Sequence, residues 1–195
     1  MKLEIHENQF KKIEMLNKKV FLTIIALVII SLTISAQKQV SSKTHIRFFS
    51  STPAEDIEAN NYASVGTIDP ASGAIVFSVP MQSFEFEKAL MQEHFNSKKF
   101  LNTKANPKAK LAGKIDNLNE VDFTKDGSYT ANVKGDLTIN GVTNPINEKA
   151  IIVIKDDKLT LNSKFNLTLA DYKIAFKKGK PSTNIAKIVE VTVEA

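Results

Sequence analysis

The chain has 195 residues, of which 43% are hydrophobic and 24% are charged, a composition typical of a globular protein rather than a disordered one. A chain of this length can contain one domain plus a targeting segment, and such a domain can bury a core without disulfides or metals. The absence of cysteine excludes disulfide frameworks, thiolate zinc sites and lipidation of an N-terminal cysteine. The net charge of +5 comes from dispersed lysines, with Arg47 the only arginine, so we predict no nucleic-acid partner.

The N-terminal segment has the pattern of a secretory signal peptide. A pair of lysines precedes a largely apolar run, residues 20–34, and Ser35-Ala36-Gln37 follows as a small-residue cleavage site. The run is short for a membrane span, which needs about 20 residues. We therefore predict that residues 1–36 are a signal peptide, with Met15 as an alternative start, and that 37–195 are the mature domain. An uncleaved membrane anchor is the alternative, which the cleavage-like sequence disfavours.

Apolar and polar residues alternate along much of the mature chain, as in strands that have one buried and one solvated face. In 128–140, for example, Tyr129, Val133 and Leu137 share one face, while Lys134 and Asp136 lie on the other. The predicted strands, in chain order, are 44–51, 62–68, 74–80, 108–115, 128–140, 151–154, 159–169 and 189–194.

Turn signals separate several of these strands. Asp126-Gly127 and Asn140-Gly141 are strong hairpin signals. The segment 83–96 breaks the alternation, because its apolar residues fall at helical spacing, and it predicts a short helix. Gly135, in the interior of a strand, predicts a bend or bulge.

These elements predict an all-β fold. About eight strands with one helical insertion and no β-α-β alternation indicate a sandwich or a barrel. The strand at 128–140 would span about 40 Å, and such long consecutive hairpins favour an antiparallel barrel. A barrel of eight strands has room for side chains or for one small ligand.

Three segments of the chain carry motifs of a known family. Residues 91–109 contain an acidic residue before His94 and Phe95, then Ser, Phe and a Pro before a strand. Residues 135–146 contain Gly-Asp-Leu-Thr-Ile-Asn-Gly-Val-Thr-Asn-Pro-Ile, and 165–174 contain an aromatic residue near a turn. These motifs resemble those of the YceI-like family, whose members are lipocalin-like antiparallel barrels around an elongated apolar cavity.

The resemblance implies a function. Members of this family are typically exported and bind isoprenoid or other long-chain lipids, so we expect a non-enzymatic protein with an isoprenoid or fatty-acyl ligand in its barrel. We expect the periplasm, with secretion as the alternative, and no stable membrane span after signal cleavage. The alternative function is a structural or interaction module of the envelope whose barrel is filled by its own side chains. The sequence does not indicate a particular oligomeric state.

The expected cavity wall consists of inward-facing strand residues and apolar residues of the helical insertion. The predicted ligand-binding residues are Phe77, Val79, Phe86, Leu90, Met91, Phe95, Leu111, Tyr129, Val133, Leu137, Phe165, Leu167 and Tyr172. The same positions are those of a packed core, and the alternation does not distinguish a wall from a core.

Polar motifs indicate neither a metal site nor a catalytic site. His94 and His45 are the only histidines of the mature chain, and a metal needs further converging ligands. The acidic cluster at 55–58 lacks the spacing and the glycine of a calcium loop, so we interpret it as a solvated loop. The chain has no Gly-x-Ser-x-Gly, no His-Glu-x-x-His and no Gly-rich phosphate loop. We predict no metal, no cofactor besides a bound lipid, and no catalytic residue; Tyr129, Tyr172 and His94 would be the candidates in an enzyme.

Overall fold

Strands dominate the part of the chain that the structure, a computed structural model, describes: residues 39–174, 176–177, 180–181 and 185–195, with side chains for 44–174 and 185–195. The predicted signal peptide lies outside the described residues. The strands are β1 (Gln39–Ser51), β2 (Asp56–Ile68), β3 (Ala74–Pro80), β4 (Phe84–Phe86), β5 (Lys108–Ile115), β6 (Gly127–Ile139), β7 (Val142–Lys155), β8 (Lys158–Thr168), β9 (Phe176–Lys177), β10 (Lys180–Pro181) and β11 (Ile188–Glu194). The helix α1 spans Ala89–Asn96, and single 3-10 turns occur at Met81–Ser83, Leu118–Glu120 and Leu169–Tyr172.

Eight of these strands close into a barrel. Their order is β1-β11-β8-β7-β6-β5-β3-β2, and β2 pairs with β1 to complete the circle. The short β4 pairs with β2, while β9 and β10 form a separate two-stranded sheet. All of these pairings are antiparallel. The predicted fold, an antiparallel eight-stranded barrel with a short helical insertion, is confirmed.

The acidic cluster at 55–58 was predicted to be a solvated loop, but most of it belongs to a strand. Strand β2 begins at Asp56, six residues earlier than predicted, and pairs with β1 from that residue onward. Glu58 is accommodated in this strand because its carboxylate is solvated and lies 2.9 Å from Arg47 Nη1. Hydrogen bonds from the side chains of Asn60 and Arg47 lower the pKa of Glu58.

The predicted short helix is present and occupies the second half of the segment 83–96. Phe84–Phe86 forms β4 because it pairs with Ala59–Asn61 of β2, so the helix begins only at Ala89. Of the helical residues only Phe95 is buried. In the residues that the structure describes, no helix is both long and apolar enough to cross a bilayer.

Gly135 does not form a bulge. The register runs without a break from Gly113 on β5 through Gly135 on β6 to Ile146 on β7. A Cβ on either glycine would collide with the backbone of the opposite strand. The glycine is therefore required by the close approach of two strands rather than by an inserted residue.

One end of the barrel is filled by packed side chains, which we call the floor cluster. Its buried residues are Ile68, Ile75, Phe77, Ile115, Val121, Ala131, Val133, Ala150, Ile152, Ile154 and Leu161. Leu118 and Phe123, from the connection between β5 and β6, pack against it. A second apolar cluster surrounds Phe95 and Leu101, near α1.

The barrel wall has an incomplete seam between β7 and β8. Their register pairs end at Ala150 and Ser163, and beyond this point β7 pairs only with β6, and β8 only with β11. Two side-chain hydrogen bonds bridge the seam. Ser163 Oγ donates to the Lys149 carbonyl oxygen (2.7 Å), and Asn144 Nδ2 donates to the Asp171 carbonyl oxygen (2.8 Å).

Candidate functional site

A cavity of about 870 Å³ lies inside the barrel. Its lining extends from floor-cluster residues such as Ile75 and Leu161 to Met91 and Phe95 of α1, and all eight barrel strands contribute inward-facing side chains. This volume falls within the range of about 300–1,000 Å³ that is typical of small-molecule sites. Because most of the lining residues are hydrophobic, the cavity suits an apolar guest.

Most of the residues predicted from the sequence surround this cavity. The predicted residues that line it are Phe77, Val79, Phe86, Met91, Phe95, Leu111, Val133, Leu137, Phe165 and Leu167. The strand residues come together because the two-residue period directs one face of every strand inward. Met91 and Phe95 reach the cavity from α1. Whether they contact a ligand stays a prediction.

Three predicted residues lie elsewhere. Leu90 is 61% exposed, because α1 turns only Phe95 into the core. Tyr129 packs against the floor cluster, and its hydroxyl donates to the Lys125 carbonyl oxygen (3.0 Å). Tyr172 is buried among the apolar residues near α1, and this burial raises the pKa of its hydroxyl.

An aromatic cluster forms the cavity wall near α1. It consists of Phe48, Phe84, Phe86, Phe95 and Phe100, all of which line the cavity. The ring of Phe95 is central, with centroid distances of 5.0 Å to Phe86, 5.6 Å to Phe84 and 5.8 Å to Phe48. Rings at such separations attract each other in tilted or offset geometries. Phe95 is thus the helical side chain that joins α1 to the aromatic cluster.

Several polar lining residues belong to α1 or the chain around it. His94, Ser97 and Lys99 lie in or just after the helix, and Ser97 Oγ donates to the His94 carbonyl oxygen (2.8 Å). Glu55, immediately before β2, accepts a hydrogen bond from Lys88 Nζ (2.8 Å). In the described part of the chain, no three His, Asp or Glu side chains are placed to hold a metal ion.

Glu148 is a different kind of lining residue, which the sequence analysis missed. It lies on β7 opposite Val133 of β6 and is only partly exposed, and its carboxylate has no hydrogen bond or ion pair with another described residue. Burial alone raises the pKa of its carboxyl group. The alternation of β7 was the available signal, since Ile152 and Ala150 point inward and the same face continues to Glu148 and Ile146.

The comparisons with known proteins agree with this architecture. The family model of the YceI-like domain matches residues 32–195. The chain belongs to the YceI-like family. The resemblance noted in the sequence is therefore confirmed, over most of the chain. No curated protein matches it.

Solved structures of other YceI-like and related proteins share the barrel. BcnA of Burkholderia cenocepacia is 16% identical, with a TM-score of 0.66 over 80% of this chain and 98% of that one. A polyisoprenoid binding domain from Saccharophagus degradans is 12% identical, with a TM-score of 0.68 over 80% of this chain and 95% of that one. The YceI protein of Campylobacter jejuni is 21% identical, with a TM-score of 0.51 over 68% and 77%. At these identities the likeness establishes the fold.

Proposed function

We propose that this YceI-like chain is an exported binding protein that holds an isoprenoid or another long-chain apolar ligand in its barrel. The observation that carries the proposal is the apolar cavity of about 870 Å³. The description of one structural neighbour as a polyisoprenoid binding domain supports it. The cavity also argues against the alternative of a barrel filled by its own side chains.

The binding free energy would come from removing an alkyl chain from water. Each buried CH₂ contributes about 0.8 kcal/mol, so a ten-carbon stretch contributes about 8 kcal/mol. This gain exceeds the lower estimates of the cost of association, about 4 kcal/mol, and it requires no catalytic step. Export is proposed from residues 1–36 alone, with the periplasm as the destination and secretion as the alternative.

A pair of variants on β6 tests whether the ligand occupies the cavity. Leu137 lines the cavity, while its neighbour Asp136 is exposed on the outer face. We expect Leu137→Arg to reduce the affinity for a neutral apolar dye at least about tenfold, because the dye would meet a charge in an apolar site. Asp136→Arg introduces the same side chain outside the barrel and should leave the dye affinity unchanged.

Dye fluorescence measures affinity, and circular dichroism confirms that both variants are folded. Equal dye affinities of the two folded variants would contradict a ligand in the cavity. Should Leu137→Arg fail to fold, Leu137→Trp fills the same space without a charge, and it should weaken dye binding as well.

A further inference from the structure

The cavity wall contains one carboxylate without a partner among the described residues, and it belongs to Glu148. The lysines near it in sequence or register do not neutralise it, because they lie on the outer face. Lys149 is exposed, Lys134 binds Asp116 (2.6 Å), and Lys164 binds Glu190 (2.8 Å). Glu148 is thus an acceptor that faces an apolar cavity without a described cation beside it.

The register places Glu148 in the part of the cavity nearest the floor cluster. Its partner across β6 is Val133, and the partner of Val133 across β5 is Ile115, both of which belong to the floor cluster. On the other side, Ser163 of β8 pairs with Ala150, two residues from Glu148 on the same face. Both side chains line the cavity, on neighbouring strands at the end of the β7–β8 ladder. Glu148 and Ser163 therefore form one polar spot in an otherwise apolar region.

Both polar groups at this spot are available as acceptors. The Ser163 hydroxyl hydrogen is used in the bond to the Lys149 carbonyl, so the oxygen's lone pairs remain. An ionised carboxylate is an acceptor only. The register pairs between β7 and β8 end at Ala150 and Ser163, next to this polar spot. A ligand group bound here therefore lies beside the unpaired part of the seam.

This chemistry selects a particular kind of ligand. A long-chain alcohol or amine brings a donor to the two acceptors, and an ammonium group also brings an opposite charge. A fatty acid at neutral pH brings a second carboxylate, which the first repels. A partly buried carboxylate without a partner also costs free energy that a donor would recover.

We propose that Glu148 and Ser163 form a polar subsite that binds a hydroxyl or ammonium group on an otherwise apolar ligand and disfavours carboxylates. This inference rests on the proposed function, since it names the head group of the ligand that the cavity holds. Glu148 acts in it as the specificity-determining residue.

The test compares three ligands with the same tail, dodecylamine, dodecan-1-ol and dodecanoate, as competitors of the neutral dye N-phenyl-1-naphthylamine at neutral pH. We expect the amine to bind at least about tenfold more tightly than dodecanoate, with the alcohol between them. Glu148→Gln, which keeps the size of the side chain, should lower the amine affinity about tenfold and raise the dodecanoate affinity. The affinity for the dye itself should not change.

Glu85→Gln is the matched control, because it removes the same charge from an exposed residue outside the cavity. It should leave all three ligand affinities unchanged. If the dye binds but Glu148→Gln leaves the order and spacing of the three ligands as in the wild type, the subsite is refuted and the proposed function stands. A protein that binds neither the dye nor any of the three ligands overturns both.

Discussion

Gly113 on β5 and Gly135 on β6 face each other in register, and neither position has room for a Cβ. The nearest obstacle to a side chain at Gly135 is the backbone of Gly113 and Ala112, which cannot move aside as a flexible side chain would. The close approach of the two strands therefore depends on glycine at both positions.

The first prediction concerns this glycine pair. Gly135→Ala should lower the free energy of unfolding by about 1–3 kcal/mol, because the added methyl forces β5 and β6 apart. Urea denaturation measures the change. Thr130→Ala, on the exposed face of the same strand, should change the stability by less than about 0.5 kcal/mol. An unaltered midpoint for Gly135→Ala would show that the strands separate without cost.

The second prediction concerns the attachment of α1. Phe95→Ala should cost about 3–5 kcal/mol, because it removes the ring that contacts four other phenylalanines. Leu90→Ala, on the exposed side of the same helix, is the control and should cost less than about 0.5 kcal/mol. Thermal unfolding measures both variants. If they lose similar amounts of stability, the central place of Phe95 in the aromatic cluster is contradicted.

The third prediction is a pH dependence. Burial raises the pKa of Glu148 in the folded state, so the folded protein holds this proton more tightly than the unfolded chain does. Ionisation of Glu148 therefore opposes folding: the penalty is absent at low pH and appears as the pH rises through the folded-state pKa. Glu148→Gln removes the penalty. Its melting temperature should exceed that of the wild type at neutral pH, and the difference should vanish at about pH 3.5.

A melting-temperature difference that is the same at both pH values would contradict this account. It would mean that the substitution acts through packing rather than through the charge. Glu85→Gln, whose carboxylate is exposed, provides the baseline for removing one negative charge.

The fourth prediction concerns the hairpin between β6 and β7. Asn140 has a positive φ of 52°, donates from Nδ2 to the Tyr172 carbonyl oxygen (3.2 Å) and accepts from Asn106 Nδ2 (2.9 Å). Asn140→Ala should cost about 1–3 kcal/mol, because alanine disfavours this conformation and makes neither bond. Asn140→Gly keeps the backbone freedom and should lose only the contribution of the bonds. Equal stability of the two variants would assign the whole effect to the hydrogen bonds.

Much of the barrel was predictable because each strand has a solvated face. Strands β3 and β5 have the predicted bounds, since alternation and flanking turns mark both of their ends. The turn at Asn140-Gly141 was equally clear, because both residues adopt a positive φ, which asparagine and glycine tolerate better than other residues. Period and turn chemistry are local properties, and they suffice for these elements.

The predictions that were wrong concern segments whose structure depends on partners distant in sequence. Asp56 and Glu58 lie in a strand because β1 pairs with them, and Phe84–Phe86 lies in a strand because β2 does. Leu90 was predicted to line the cavity but faces solvent, because only Phe95 of α1 is buried. Neither the cavity nor the position of Glu148 in its wall follows from one strand, because both depend on which faces eight strands turn inward.

The most direct test of the central claim is the mass of the protein purified from its source cells and measured under non-denaturing conditions, followed by extraction with organic solvent. We expect a stoichiometric apolar adduct that is lost on extraction and is identifiable as an isoprenoid or other long-chain lipid. A mass equal to that of the polypeptide, unchanged after incubation with isoprenoid and acyl lipids, would contradict it.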